Sequence, residues 1–202
     1  MDKMNKIGIM GGTFDPIHIG HLIMAESALS ELQLDKIIFM PSGKPPHKSS
    51  KSISESDIRS DMVKLAIDNN EKFVYSDFEL KREGIIYTSD TLELIKNQYT
   101  NLDIYFIVGA DSILDIEKWH EPAKIFQLCK MVVVDRDNCN DKIIAMKEHL
   151  SLKYNAQIYY IKAPLVCISS TYIRNCVANK KSVKYLIPDS VNEYITTHQL
   201  YQ

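Results

Sequence analysis

The sequence has no long hydrophobic segment. Its longest strictly apolar run is Ile104–Val108, five residues, whereas a membrane-spanning helix needs about 20. The first residues lead into a short strand-like segment and not into the apolar stretch of a signal peptide. We therefore expect a cytoplasmic protein without a membrane partner.

The composition also excludes a CxxC metal or redox protein and a generic nucleic-acid-binding protein. The four cysteines include no CxxC pair of the kind found in metal and redox sites, so we expect reduced, incidental thiols. Positive charge is not in excess, because 24 Lys and Arg stand against 26 Asp and Glu, for a net charge of −2. Such a chain is not a generic binder of the nucleic-acid backbone, and we expect no nucleic-acid partner.

No internal repeat and no low-complexity linker divides the 202 residues. A chain of this length, 45% hydrophobic, can bury a core of its own. We expect a single domain over 1–202, whose C-terminal part, about 169–202, is helical.

Short apolar segments alternate along the chain with segments of helical periodicity. Strands are predicted at 6–10, 36–40, 72–78, 104–108, 131–134 and 157–161. Helices are predicted at 21–32, 88–99, 122–129 and 141–152, and from 54, 171 and 188. The helix capped by Ser54 is expected to bury Ile58, Met62, Leu65 and Ala66. This alternation predicts an α/β fold, a doubly wound, Rossmann-like parallel sheet that binds ligands at the carboxyl ends of its strands.

The loop between the first predicted strand and the first predicted helix is the segment that says most about function. Gly11 and Gly12 let the backbone approach a ligand closely, and Thr13 adds a hydroxyl. Free amides at a helix N-terminus favour an anion. The loop contains neither the GxxxxGK[ST] nor the GxGxxG signature, so it predicts a phosphate site of another kind.

Two histidines stand three residues apart at the entrance of this helix. His18 and His21 can donate hydrogen bonds to phosphate oxygens while charge shifts during substitution at phosphorus. A zinc site built on the two imidazoles is an alternative, although no third or fourth ligand is evident. The second alternative is that the glycine turn has a purely structural role.

A second phosphate-binding pattern follows the last predicted strand, at 168–174. Ser169 or Ser170 can cap a helix that begins at Thr171. Arg174 lies four residues after Ser170 and projects from the same side of the first turn. Hydroxyls, free amides and a guanidinium then converge, which suits a triphosphate. An ordinary cap with a solvated arginine is the alternative.

The string GGTFDPIHIGH resembles the HxGH signature of the nucleotidylyltransferase superfamily, and ISSTYIR resembles the motif that accompanies it. The resemblance implies transfer of a nucleotidyl group from a nucleoside triphosphate with release of pyrophosphate, on a fold similar to class I aminoacyl-tRNA synthetases. It also implies catalytic roles for His18, His21 and Arg174. The ATP-binding residues implied are Gly11, Gly12, Thr13, Phe14, His18, His21, Gly109, Asp111, Ile168, Ser169, Ser170, Thr171 and Arg174.

The middle of the chain resembles the bacterial nicotinate-nucleotide adenylyltransferases. The matching features, within 7–174, are PPHK at 45–48, YTSDTL at 87–92, GAD at 109–111 and the single tryptophan. The resemblance implies transfer of the adenylyl group of ATP to nicotinate mononucleotide, giving deamido-NAD and pyrophosphate in NAD biosynthesis. It implies Mg2+ carried by the ATP phosphates with no protein metal ligand, and a homodimer. The mononucleotide-binding residues implied are His47, Lys48, Tyr87, Thr88, Trp119 and His120.

Chemistry suits several of these assignments, and each has an alternative. Trp119 can stack on a pyridine ring or belong to the core. Thr88 begins a helix whose amides, with backbone amides near Trp119 and His120, can receive the nicotinate carboxylate and so favour the acid over the amide. By resemblance Asp111 holds the ribose or adenosine part; it can also be a helix N-cap. Lys48, in a loop at 42–53 expected to be mobile, suits the phosphates better than Lys44, and a solvated lysine is the alternative for both.

Two positions depart from the family pattern. Ile86 stands where a small hydroxyl residue is usual, and 136–138 replaces an Arg-Pro-Gly turn while keeping Arg136. Two other functions remain open: the same transfer to nicotinamide mononucleotide, and nucleotide binding without turnover.

Overall fold

The computed structural model describes residues 5–43, 53–135, 140–164 and 166–202. The predicted ligand-binding residues His47 and Lys48 lie outside the described residues, as do Lys44 and the altered turn at 136–138.

The described strands form one parallel sheet. They are β1 (Asn5–Gly12), β2 (Lys36–Pro41), β3 (Phe73–Tyr75), β4 (Leu102–Gly109), β5 (Lys130–Asp135) and β6 (Ile158–Lys162). Their order across the sheet is β3-β2-β1-β4-β5-β6, and Ile9 of β1 pairs with Ile38 on one side and Phe106 on the other. This order confirms the predicted doubly wound fold. It reverses between β1 and β4, and ligands of such sheets bind at that reversal.

Helices connect the strands. They are α1 (Ile19–Glu31), α2 (Ser56–Ile67), α3 (Thr88–Gln98), α4 (Ala110–Leu114), α5 (Pro122–Leu128), α6 (Asn140–Tyr154), α7 (Ser170–Ala178) and α8 (Asp189–Thr197), with a 3-10 turn at Ile116–Lys118. The sequence patterns predicted neither α4 nor the 3-10 turn, since both are too short to show a helical period. The predicted strand at 72–78 shrinks to three residues. No helix of the described ranges has both the length and the apolarity to cross a membrane.

Side chains of the sheet alternate between two cores, as the pleat requires. Val132 and Val134 face α1, α2, α7 and α8. Met131 and Val133 face α3, α4, α5 and α6. Each face of the sheet is therefore covered by its own set of helices. The carboxyl ends of the central strands stay accessible between the two sets.

The buried face of α2 differs from the prediction. The helix begins at Ser56, with Glu55 and not Ser54 as its N-cap, and Leu65 is 37% exposed. The residues buried on α2 are Arg59, Ser60, Met62, Val63 and Ile67. An arginine on this face, which apolar periodicity cannot anticipate, is the reason for the difference.

Arg59 binds three backbone carbonyls. Its Nη1 donates to the carbonyl of Thr13 (2.8 Å), its Nη2 to that of Ser42 (3.1 Å) and its Nε to that of Ser54 (3.1 Å). Burial lowers the pKa of Arg59, an effect opposed first by the charge of Asp15. A guanidinium nevertheless stays protonated at neutral pH. It thereby fixes the end of β2 and the start of α2 against the loop that follows β1.

We expect Arg59→Ala to lower the free energy of unfolding by about 2–4 kcal/mol, because three carbonyls lose a buried charged donor. Chemical denaturation measures this loss. The control is Lys64→Ala, since Lys64 is exposed on the same helix beside Asp61 and should change stability by less than about 0.5 kcal/mol. Equal effects of the two substitutions would contradict the role given to Arg59.

Candidate active site

Two cavities open where the strand order reverses. The larger has a volume of about 510 Å³ and the smaller about 280 Å³. Gly11 and Gly12 at the end of β1 and Gly109 at the end of β4 line the smaller one. Ser42, Glu79, Thr88 and Trp119 line both. Two ligand groups bound in these cavities would therefore lie side by side.

The loop after β1 is a tightly packed turn. A Cβ on Gly12 would lie 2.9 Å from the ring of Phe14, so a larger residue would displace that ring. Phe14 is 2% exposed and has a φ of 51°, a backbone conformation that side-chain-bearing residues seldom adopt. Its ring meets His21 edge to face, with centroids 5.1 Å apart. The turn thus presents glycine backbone to the smaller cavity and supports His21 from behind.

The structure brings the two histidines together, as predicted. Their rings are stacked, with centroids 3.6 Å apart and an interplanar angle of 21°. His18 is 3% exposed, while His21 lines the smaller cavity. The backbone N–H of His18 donates to Nδ1 of His21 (3.2 Å). A neutral His21 therefore carries its proton on Nε2, where it is a hydrogen-bond donor.

The stacked arrangement does not suit the zinc alternative. Lone pairs of imidazole nitrogens lie in the ring plane, and the planes of His18 and His21 are nearly parallel. Nδ1 of His21 already accepts a backbone hydrogen bond. Two nearly parallel rings in face-to-face contact do not converge on one ion.

The first turn of α7 begins one residue earlier than predicted. Ser169 is the N-cap, and its Oγ accepts a hydrogen bond from the N–H of Tyr172 (3.1 Å). Ser170 is not a cap, because its Oγ donates to the carbonyl of Pro16 (2.9 Å). Ile168, before the cap, packs on the core. This turn is therefore docked directly on the loop after β1.

Arg174 strengthens that docking. Its Nη1 donates to the carbonyl of Asp15 (2.7 Å), and its Nη2 donates to Oγ1 of Thr171 (3.3 Å). The solvated arginine of the alternative interpretation is not observed. The two predicted phosphate motifs, separated by about 150 positions, are joined by hydrogen bonds.

The larger cavity is lined by all four described residues that were predicted to bind a mononucleotide. Thr88 is the first residue of α3, and Tyr87 is its N-cap. Tyr87 and His120 line the larger cavity with ring centroids 4.2 Å apart. N–H groups of the first turn of a helix have no partner within the helix, so Thr88 places backbone donors beside the cavity that it lines.

Trp119 packs on the core and also faces the cavities, and its stacking on a pyridine ring stays a prediction. Its ring packs edge to face on Phe106, with centroids 6.4 Å apart, and it also lines both cavities. The backbone N–H of Trp119 donates to the carbonyl of Ile116 (3.0 Å). This amide is therefore already bonded within the chain, and binding of the carboxylate by backbone amides near Trp119 and His120 stays a prediction.

Asp111 is placed where a ligand can reach it. It is exposed in the first turn of α4 and lines the smaller cavity together with Ser112. Gly109 is the N-cap of this helix. The alternative that Asp111 is the N-cap is therefore wrong.

Glu79 is a cavity residue that the sequence patterns did not reveal. Its Oε1 accepts a hydrogen bond from Thr91 (2.9 Å), which in turn accepts one from Arg82 (2.9 Å). Burial raises the pKa of Glu79, and the bonds from Thr91 and the N–H of Gly43 oppose the rise. Glu79 precedes α3 in an irregular segment, where no periodicity distinguishes an inward carboxylate from a solvated one. Its position at the junction places a half-buried acid beside both cavities.

The departure at Ile86 has a structural consequence. Its side chain is 6% exposed and lines the larger cavity. An apolar surface therefore stands where a small hydroxyl residue is usual.

One cluster of potential metal ligands occurs within the four described ranges. It consists of Asp90, His120 and Glu121. The ammonium of Lys124 lies 3.9 Å from the Asp90 carboxylate and 3.4 Å from that of Glu121. A cation bound here would be repelled by this ammonium, which already pairs with both acids and with Glu93 (2.9 Å).

Comparison with known proteins agrees with this geometry. Residues 9–176 match the model of the Cytidylyltransferase-like family. A protein of Clostridium novyi (strain NT) named "Probable nicotinate-nucleotide adenylyltransferase" is 41% identical, covering 98% of this chain and 100% of its own. A protein of the same name from Thermoanaerobacter sp. (strain X514) is 40% identical, covering 100% of this chain and 97% of its own.

Solved structures show the same fold. The nicotinic acid mononucleotide adenylyltransferase of Plasmodium falciparum complexed with NaAD has a TM-score of 0.81 at 24% identity, covering 98% of this chain and 97% of that one. The same protein complexed with APC has a TM-score of 0.80 at 23% identity over the same shares. From the family match and the near full-length curated relatives, the chain belongs to the nicotinate-nucleotide adenylyltransferase family of nucleotidyltransferases.

Proposed function

We propose that this chain transfers the adenylyl group of ATP to nicotinate mononucleotide. A phosphate oxygen of the mononucleotide attacks the α-phosphorus of ATP and forms a new P–O bond. The bond from the α-phosphorus to the bridging oxygen breaks, and pyrophosphate leaves with that electron pair. The second product is deamido-NAD, a precursor in NAD biosynthesis.

The observation that carries this proposal is the shared lining of the two cavities. One cavity contains the glycine turn and His21, and the other contains Tyr87 and His120. Thr88 and Trp119 belong to both. A reaction that joins two nucleotides needs two adjacent sites whose reacting groups meet, and orientation of this kind supplies much of the rate.

On the ATP side, the proposed work is electrostatic. The Nε2 proton of His21, fixed by the bond from the backbone of His18 to Nδ1, is a donor for an oxygen of the α-phosphate. Arg174, Thr171 and the first-turn amides of α7 hold the β- and γ-phosphates. Preorganised donors of this kind stabilise charge that develops in the transition state. A phosphate nucleophile is already ionised at neutral pH, so no general base is needed.

On the acceptor side, Trp119 stacks on the pyridine ring and the N-terminus of α3 receives the carboxylate. A helix N-terminus favours an anion, whereas the NH2 of an amide would meet donors with a donor. On the ATP side, Asp111 in the smaller cavity accepts hydrogen bonds from ribose hydroxyls. Roles for His47 and Lys48 at the phosphates, a homodimer and a cytoplasmic location stay predictions.

The proposed reaction uses Mg2+. The family is one of ATP-using, generally metal-dependent nucleotidyltransferases. Magnesium commonly binds substrate phosphates in preference to a cage of protein ligands, and the proposal places the ion on the phosphates of ATP. When bound, the ion neutralises charge on the departing pyrophosphate.

Pyrophosphate release from ATP and Mg2+ tests the proposal, with nicotinate and nicotinamide mononucleotides assayed in parallel. We expect release with a strong preference for the acid, because the α3 N-terminus selects a carboxylate. If pyrophosphate is released equally well or better with nicotinamide mononucleotide, adenylyl transfer would still be supported. The acid-selective site would then be refuted. ATP binding without release with either acceptor would favour the alternative of a binding protein.

We expect His21→Ala to lower kcat by about 10²–10³-fold, the usual loss when one preorganised donor at a reacting oxygen is removed. We expect His18→Ala to lower kcat as well, because the imidazole that stacks on His21 is lost. Steady-state kinetics measures kcat, and circular dichroism verifies the fold. His198→Ala is the matched control, since this exposed imidazole stacks on Tyr194 beyond α8. Near-normal turnover in either variant would remove that histidine from the mechanism.

We expect Trp119→Ala to raise KM for nicotinate mononucleotide about tenfold or more, with a smaller change in KM for ATP, because aromatic stacking on the acceptor base is lost. Trp119→Phe should retain part of the affinity. Tyr185→Ala, at an 80% exposed ring, is the control. A larger effect on ATP than on the mononucleotide would refute the stacking assignment.

A further inference from the structure

Asp15 in the loop after β1 connects distant parts of the chain. It is 3% exposed. Its Oδ1 accepts a hydrogen bond from the hydroxyl of Tyr201 (2.7 Å), and its Oδ2 accepts one from the backbone N–H of Ser54 (3.3 Å). The carbonyl oxygen of the same residue accepts the bond from Arg174. One residue thus receives donors on both its carboxylate and its backbone.

Tyr201 is held in place for this contact. Its φ is 62°, in the left-handed region that residues with side chains seldom occupy, and its ring packs against the core on the α8 side of the sheet. Burial and, after it, the hydrogen bond to Asp15 raise the pKa of Tyr201. The phenol therefore stays protonated and acts as the donor.

We propose that Tyr201 is a positioning residue of the active site, which acts through Asp15 on the orientation of Arg174. This inference rests on the proposed function of Arg174 at the ATP phosphates. Tyr201 itself touches no substrate in this account.

The geometry gives the reason that such a contact matters. A guanidinium carries five N–H donors in one plane, and here Asp15 and Thr171 each accept one. The remaining donors face a phosphate correctly only when that plane is fixed, because recognition by arginine is directional. The Asp15 carbonyl fixes one edge of the plane.

A second positive charge near Asp15, that of Arg59, also acts on the Asp15 carboxylate. The guanidinium of Arg59 interacts favourably with the Asp15 carboxylate, while its hydrogen bonds go to Thr13, Ser42 and Ser54. Loss of the Tyr201 hydroxyl leaves the carboxylate with the Ser54 N–H and this nearby charge. The carboxylate then shifts towards them, and the carbonyl of Asp15 turns with it. A small misplacement of a side chain that positions the substrate can lower the reaction rate severely, even when that side chain lies far from the reacting atoms.

The test is Tyr201→Phe, which removes only the hydroxyl. Tyr194→Phe is the matched control, because the Tyr194 hydroxyl also donates to a carboxylate, Oδ2 of Asp61 (3.3 Å), away from both cavities. We expect Tyr201→Phe to lower kcat/KM for ATP about tenfold and Tyr194→Phe to leave it unchanged, with comparable shifts in Tm. An equal loss of activity in both variants, or none in Tyr201→Phe, would overturn the inference.

A double-mutant cycle separates positioning from a general loss of stability. Removing the Tyr201 hydroxyl in an Arg174→Ala background should have little further effect on kcat/KM for ATP, because the two residues act in series. An undiminished effect in that background would show that Tyr201 does not act through Arg174 and would overturn the inference.

Calorimetric titration with ATP and Mg2+ distinguishes this inference from the proposed reaction. If the unmodified chain releases no pyrophosphate, the proposed function fails. The inference then stands on whether Tyr201→Phe, and not Tyr194→Phe, weakens ATP binding, and it is overturned if the two variants bind ATP equally well.

Discussion

The site depends on the buried guanidinium of Arg59. Carbonyls of three chain segments bind this one side chain, and two of these segments carry cavity residues. Buried carbonyls need partners, and arginine alone offers enough donors in one plane to satisfy three segments at once. Ser42 lines both cavities and Thr13 precedes Phe14 in the glycine turn. The relative position of the two cavities is therefore set in part by a residue that lines neither.

The two faces of the sheet contribute different halves of the site. The face covered by α1 and α7 supplies the stacked histidines and the hydroxyl-rich helix start. The opposite face, covered by α3 and α4, supplies Thr88, Asp111 and the segment with Trp119. The halves meet only at the carboxyl ends of β1 and β4. A parallel sheet with reversed winding on its two sides provides this meeting point without a second domain.

The sequence predicted most of what depends on local pattern. Apolar runs located the strands, and glycines with paired histidines located the phosphate loop. Arg59 escaped prediction because a charged residue on a helix normally faces solvent, and its partners are carbonyls, which no sequence pattern identifies. Glu79 and Tyr201 escaped because their partners are distant in the chain. The bond made by the Trp119 amide was not predicted, because the 3-10 turn that contains its acceptor is too short to show a helical period.

The bonds between α7 and the loop after β1 have a consequence for folding. They join residues 154 and 159 positions apart, among the largest separations that the chain allows. Closing so long a loop costs entropy that only a formed sheet can offset. We therefore expect these contacts to be absent from the folding transition state, so that weakening them speeds unfolding and leaves the folding rate nearly unchanged. The docking of α7 on the loop after β1 is then completed late in folding and lost early in unfolding.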